Sequence, residues 1–361
     1  MDLSTLSDDE LLALRANTST KVKVEHINQH ARKILINALY GATGNRFFRY
    51  YDIRNAKAVT YGGQLATRWA ERKLNVYLNK LFKTDTDYII YGDTDSVYLT
   101  LKELTDRLPD KTEDELVEAI DKFCNTRLQP VINSGYDELA EYTNAYDQKM
   151  FMDREVIATR GFWTAMKKRY ALYVKDNEGL RKDKLKIMGI ETQSSKTPKA
   201  VGDALRHCIK LILTSTEDEM QKYILEFEKE FKAINYLKLA SPITVNNIAK
   251  YSDENHLPIK GCTANVKAVL TFNKLARVHK FNIIPEGEKV AILPLSMPNK
   301  YHAKTIGFLS GTELPEEIRE YVIDHIDYNL LWDKMFQTPL DTICSAIMFK
   351  SEDNFDLDDF M

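Results

Sequence analysis

Cysteine is scarce in this 361-residue chain: Cys124, Cys208, Cys262 and Cys344 lie far apart and form no Cys-x-x-Cys pair. The seven histidines gather into no close His/Cys cluster. A disulfide framework and a structural zinc site are therefore excluded, and a reduced, cytoplasmic protein is expected. No run approaches the roughly 18–20 apolar residues of a membrane span. The acidic, polar start from Met1 to Glu10 is unlike a signal peptide, so no membrane partner is expected. Positive charge is not in excess either: 50 Lys and Arg stand against 53 Asp and Glu, a net charge of −3. Its distribution matters more than its sum. The last eleven residues hold five acids (Glu352, Asp353, Asp356, Asp358, Asp359) and no base; without those five acids −3 becomes +2. Any phosphate binding must come from local runs, Lys167-Lys168-Arg169 and Arg181-Lys182 through Lys186. On charge alone, two solvated faces are the favoured reading. What is present in quantity is apolar surface: 44% of the residues are hydrophobic, enough to fill two or three domain cores.

Ser7-Asp8-Asp9-Glu10 has the form of a capping box and opens a helix through Leu11, Leu12 and Leu14. Polar residues around Asn17 to Thr20 predict a break, followed by a longer helix from Val22 to Tyr40 that ends near Gly41 and Gly44. The pattern from Arg49 to Leu81 is again helical. Two β-rich runs, Tyr88-Ile89-Ile90-Tyr91 and Val97-Tyr98-Leu99-Thr100-Leu101, then flank Gly92-Asp93-Thr94-Asp95-Ser96 and predict a hairpin. A helical stretch near Glu113 to Leu128 and a strand at Tyr170 to Val174 follow. Thr197-Pro198 reads as a cap with proline at the first helical position, and Thr216-Glu217-Asp218-Glu219 as a second capping box. The change of texture near residue 191 marks an expected domain boundary.

Three segments carry chemistry. Phosphoryl transfer asks a protein mainly for in-line positioning and charge neutralisation, which two metal ions held by carboxylates provide. Magnesium prefers oxygen ligands and keeps several waters, so one or two carboxylates on a rigid hairpin suffice. Asp-x-Asp alone is usually an Asx turn. The full Tyr-Gly-Asp93-Thr-Asp95-Ser between two strands is what points to metal. On the preceding helix, Lys33, Asn37 and Tyr40 fall within an arc of roughly 60° at 100° per residue. A cation, an amide and a phenol on one stripe suit a triphosphate and a base pair, although alone they make an ordinary solvated face. Lys167-Lys168-Arg169-Tyr170 sets three cations beside aromatics. Such groups can grip a sugar–phosphate backbone or reach minor-groove acceptors that every correct base pair presents.

In order, Lys33-Ile-Leu-Ile-Asn37-Ala-Leu-Tyr40-Gly41, continuing through Phe48-Arg49-Tyr50-Tyr51-Asp52, resembles motif B of the family B DNA polymerases. Tyr91-Gly-Asp93-Thr-Asp95-Ser96 resembles their motif C, and Lys167-Lys-Arg-Tyr170 their primer–template-binding KKRY segment. Lys186-Ile-Met-Gly-Ile-Glu-Thr-Gln193 continues the match, which is to polymerases of T-even-type bacteriophages. The resemblance implies an α+β chain: residues 1–44 as the second half of a fingers hairpin, 45–191 as most of an antiparallel palm with helices, 192–350 as a helix-rich thumb. It implies that Asp95 coordinates metal, with Asp93 beside it, in a site for two Mg2+ ions. Lys33 and Asn37 would bind the dNTP triphosphate, Tyr40 would check the nascent pair, and Lys167 to Tyr170 would hold primer–template DNA. Ala38 departs from the family's usual serine, which puts one local hydrogen bond in doubt.

The larger departure is that motif A, with the other metal-binding aspartate, and the 3′–5′ exonuclease have no counterpart here. The expectation is either a polymerase encoded as two polypeptides split within the fingers or a fragment of a longer polymerase. The split is the favoured reading, with this chain partnered by an N-terminal chain in an infected bacterial cell. The tail, residues 351–361, ends in Asn354-Phe-Asp-Leu357-Asp-Asp-Phe360-Met361. It resembles the Gln-x-x-Leu-x-x-Phe-Phe peptide of sliding-clamp binders, with Leu357, Phe360 and Met361 as apolar anchors on an acidic segment. An acidic solvating tail is an equal reading on sequence alone, and the polymerase resemblance favours the clamp. A rival for the whole chain is a non-catalytic subunit gripping duplex DNA and the clamp, which would not need Lys33, Asn37, Asp93 and Asp95.

Overall fold

A computed structural model describes residues 7–190, 192, 197–240 and 242–347. The chain forms two compact units, Met1–Arg154 and Glu155–Met361. Both mix helices with antiparallel sheets, the expected α+β class.

The first unit opens with α1, Asp8–Thr43. Ser7 and Glu10 make the predicted capping box, each bonding the other's backbone N–H. The predicted break at Asn17–Thr20 does not occur, so the two expected helices are one. Thr20 Oγ1 donates to the Ala16 carbonyl at 2.9 Å, which satisfies the hydroxyl inside the helix and removes its reason to end it. No residue of α1 is buried; Val22, Ile27, Ile34, Leu35, Ile36 and Leu39 are all exposed.

Helix α2, Ile53–Phe82, starts at Asp52, whose carboxylate accepts from the Arg54 backbone and guanidinium. Those two bonds, the side-chain one first, hold the Asp52 carboxyl down to about 2. The cap contributes above the ordinary carboxylate range and is lost only as pH falls towards that value. One stripe of α2, Ala66, Ala70, Leu74, Leu78 and Phe82, packs on Tyr88 and on Leu128, Ile132, Tyr136 and Leu139. The hairpin of β1 (Ile89–Asp93) and β2 (Ser96–Leu99) follows, then α3 (Lys102–Thr105), α4 (Glu113–Phe123) and α5 (Gln129–Tyr142). A π-turn, Cys124–Leu128, joins α4 to α5 immediately before Gln129-Pro130. Proline at 130 has no N–H to give and its ring crowds the carbonyl four residues back, so the helix widens there.

The second unit contains a sheet of β3 (Val156–Trp163), β4 (Tyr170–Asn177) and β5 (Leu180–Met188) in sequence order. Its inner face shares a core with α6 (Lys199–Thr214), through Phe162, Ala171 and Ile187 against Ile209 and Leu213. The texture change near residue 191 thus falls inside this unit. Pro198 is the N-cap of α6 and not its first helical residue. Helix α7 (Glu217–Ala233) begins at Thr216, which accepts from Glu219 N–H, while the Glu219 carboxylate turns to Ser215 Oγ. After α8 (Tyr236–Leu239), strand β6 (Pro242–Thr244) joins β7 (Lys289–Pro294) and β8 (Thr305–Leu309) in a second antiparallel sheet. Helix α9 (Ala264–His279) lies between β6 and β7 in sequence; α10 (Glu316–Asp324), α11 (Tyr328–Trp332) and α12 (Thr338–Cys344) follow β8. Phe227, Phe231, Trp332 and Phe336 form the aromatic heart of this unit, with ring centroids 4.5 Å apart for Trp332 and Phe336. All four cysteines are free thiols, as expected.

Burial on one stripe of α2 and none on α1 gives a direct test. Leu78→Ala should cost about 2–5 kcal/mol, since it empties a fully buried site. Leu35→Ala on α1 should change stability by no more than about 0.5 kcal/mol. Urea unfolding of the two variants reads both.

Candidate functional site

In the first unit, Asp93 pairs with Ser96 across the β1–β2 hairpin, leaving Thr94 and Asp95 as a two-residue turn. The turn is tight: Asp95 N–H donates to the Asp93 carbonyl at 2.6 Å, and Ser96 Oγ–H to the same carbonyl at 3.2 Å. Thr94 sits at φ 57°, a left-handed conformation that a β-branched residue rarely adopts. Such an outlier persists only where its surroundings enforce it. Thr94 Oγ1 donates to Asp93 Oδ1 at 3.1 Å. Below the turn the rings of Tyr91 and Tyr98 lie 5.8 Å apart and stiffen the hairpin. Asp93 is half-buried and Asp95 exposed, so Asp95 presents its carboxylate to solvent.

Helix α2 meets this turn from one side. Thr67 Oγ1 lies 3.3 Å from the Thr94 carbonyl and 3.1 Å from that of Gly63. A side chain at Gly92 would put its Cβ 2.9 Å from Glu71 Oε1. Neither Thr67 nor Glu71 stands out in the sequence, where both are simply polar residues of an amphipathic helix.

Lys33, Asn37 and Tyr40 lie in the last third of α1, all exposed. Tyr40 is tied down: its hydroxyl is 2.7 Å from Thr60 Oγ1 on α2. In the second unit Lys167, Lys168 and Arg169 lie in the β3–β4 connection, where Trp163 pairs with Tyr170. Lys167 and Lys168 are exposed, Arg169 is half-buried and Tyr170 is buried, its ring stacked on Trp163 at 6.1 Å. Tyr170 thus anchors the cationic loop more than it faces solvent. Lys168 has φ 63°, and its carbonyl passes close to Gly189, where an added Cβ would meet it at 2.1 Å. Gly189 itself has φ 65°, so both conformation and space demand glycine there. Leu357, Phe360 and Met361 lie outside the described residues.

Among the described residues no group of three or more His, Cys, Asp or Glu side chains is arranged to hold a metal ion. Asp93 and Asp95 are two carboxylates carried by one turn. As hard carboxylate oxygens on a solvent-facing turn they fit Mg2+, which binds through one or two carboxylates plus waters and substrate phosphates. No described helix is long and apolar enough to cross a membrane.

The turn and the α1 stripe of cation, amide and phenol lie in the first unit, and the basic β3–β4 loop in the second. The sequence profile of DNA polymerase family B matches residues 10–258, and the chain belongs to that family. It is 43% identical to the DNA-directed DNA polymerase of Escherichia phage RB69 over 99% of this chain and 41% of that protein. Against the DNA-directed DNA polymerase of Enterobacteria phage T4 it is 41% identical over the same shares. DNA polymerase II of Escherichia coli (strain K12) is 28% identical over 45% of this chain and 19% of its own length. The chain thus spans about two fifths of the phage relatives' length.

Gly189→Ala should loosen the Lys167–Arg169 loop, with faster backbone hydrogen exchange in residues 163–170. Gly179→Ala is the control, because Gly179 also has positive φ (85°) but no atom within 4 Å of an added Cβ. Equal effects of the two variants on that loop would show that the Lys168 approach is not what holds it.

Proposed function

We propose that this chain is the carboxy-terminal part of a DNA-directed DNA polymerase, adding dNMP to a primer 3′-hydroxyl in phage DNA replication. The observation that carries this reading is the Asp93–Thr94–Asp95 turn in a chain of DNA polymerase family B. Bound at Asp95 and Asp93, Mg2+ would neutralise charge on the attacking and leaving oxygens of an in-line phosphoryl transfer. Lys33 places its ammonium against the triphosphate, and Asn37 donates its amide to a phosphate oxygen. Tyr40, oriented by Thr60, sets its ring against the nascent base pair. Lys167, Lys168 and Arg169 grip the primer–template backbone, their loop pinned by Tyr170 and Gly189. The 3′-hydroxyl attacks the α-phosphorus and pyrophosphate departs.

The remaining carboxylate comes from a separate N-terminal polypeptide that also carries the exonuclease and the other finger helix. In this reading residues 1–44 are fingers, 45–191 palm and 192–350 thumb. The tail binds a sliding clamp, and the assembly works in the cytoplasm of an infected bacterium.

Purified alone, the chain should not extend a primer; mixed with the N-terminal polypeptide it should, in a metal-dependent manner. In that mixture Asp95→Asn should slow extension by several orders of magnitude with duplex affinity nearly unchanged. Lys33→Ala should mainly raise the nucleotide KM. Near-normal turnover by Asp95→Asn would reduce the turn to a structural one. Removing residues 354–361 should leave synthesis on short primers intact and abolish stimulation by the clamp, as should Leu357→Ala with Phe360→Ala. Clamp capture at full strength by that double variant would return the tail to a solvating role.

A further inference from the structure

The polymerase reading assigns Asp93 and Asp95 but leaves unexplained how an exposed two-residue turn keeps them in place. Thr94 carries an unfavourable backbone conformation between them. A hairpin this short would relax unless something behind it resisted.

Thr67 and Glu71 are four residues apart on α2, hence on one face and about 6 Å apart along the helix axis. Gly92 and Thr94 are two residues apart on the hairpin, about 6.6 Å along an extended chain. The two spacings match, and the contacts follow that register: Thr67 to the Thr94 carbonyl, Glu71 to Gly92. Both side chains are half-buried, beside the stripe of Ala66, Ala70 and Leu74 that fixes α2 in the core. Thr67 therefore acts from a rigid base.

We propose that Thr67 and Glu71 are positioning residues for the metal-binding turn, a role that rests on the polymerase reading. Thr67 orients the Thr94 peptide, and with it the left-handed residue between the two aspartates. The Glu71 carboxylate fills the space that any side chain at position 92 would need. A side chain at 92 would therefore have to push aside the end of Glu71, a partner on another element. Glu71 also sets a third negative charge behind Asp93 and Asp95, which strengthens attraction of a divalent cation without ligating it.

The test uses the full chain and two readouts. Backbone hydrogen exchange over residues 90–97 needs no metal and no activity. Mn2+ titration followed by electron paramagnetic resonance reads the site with the ion alone. Thr67→Val, which keeps shape and loses the hydroxyl, should speed exchange in the turn and raise the Mn2+ midpoint roughly fivefold, the effect of about one net hydrogen bond. Thr67→Ser should restore both. Glu71→Gln should raise the midpoint through lost charge while leaving exchange nearly unchanged. Gly92→Ala meets only the flexible end of Glu71, so it should displace the carboxylate and mimic Glu71→Ala. The double variant should then be no worse than either single change. Exchange that is unaltered in Thr67→Val, or fully additive effects of Gly92→Ala and Glu71→Ala, would overturn the proposal. If the wild-type chain alone binds no Mn2+ but Thr67→Val still speeds exchange, the buttress stands and ion binding requires the further donors that the polymerase reading places outside this chain.

Discussion

Two carboxylates are carried on a two-residue turn whose central threonine is left-handed, and that turn is held by contacts from the rest of the first unit. Asp93 and Asp95 flank a threonine in a left-handed conformation, closed by a 2.6 Å backbone bond. Neither feature is favourable in isolation. They persist because the β1–β2 hairpin is gripped at its base by Tyr91 and Tyr98 and met from the side by α2.

Helix α2 serves packing and site at once, and helical geometry lets it. Ala66, Ala70, Leu74 and Leu78 repeat every four residues and form a buried stripe. Thr67 and Glu71 follow one position later, rotated by about 100°. The core thus fixes the helix, and the helix presents its polar shoulder to the turn at the same height. A further neighbour, Thr60, holds the Tyr40 hydroxyl, so α2 touches two of the three segments that carry chemistry. The third, Lys167 to Arg169, relies on a different device: a close backbone approach that only Gly189 allows.

Much of this was legible in the linear chain, because the relevant signals are local. Alternating aromatic and β-branched residues around Gly92-Asp93-Thr94-Asp95 announce a hairpin, and the capping box at Ser7 and Glu10 forms as written. The misreading at Asn17–Thr20 came from treating polar residues as breakers, when the Thr20 hydroxyl is satisfied within its own helix. Other features are not local. Thr67 and Thr94 are 27 residues apart, and nothing at either position foretells the contact. The burial of Tyr170 against Trp163, within a segment that reads as a cationic grip, depends likewise on strand register.

Whether the Asp93–Asp95 turn is a metal-binding element of a polymerase can be read most directly by anomalous diffraction. The crystal would hold this chain, the proposed N-terminal polypeptide, primer–template DNA, a non-hydrolysable dNTP and Mn2+. The predicted result is Mn2+ within about 2.3 Å of an Asp95 carboxylate oxygen, with the nucleotide phosphates as further ligands. Mn2+ held only by groups outside this chain, with Asp95 turned away, would contradict it.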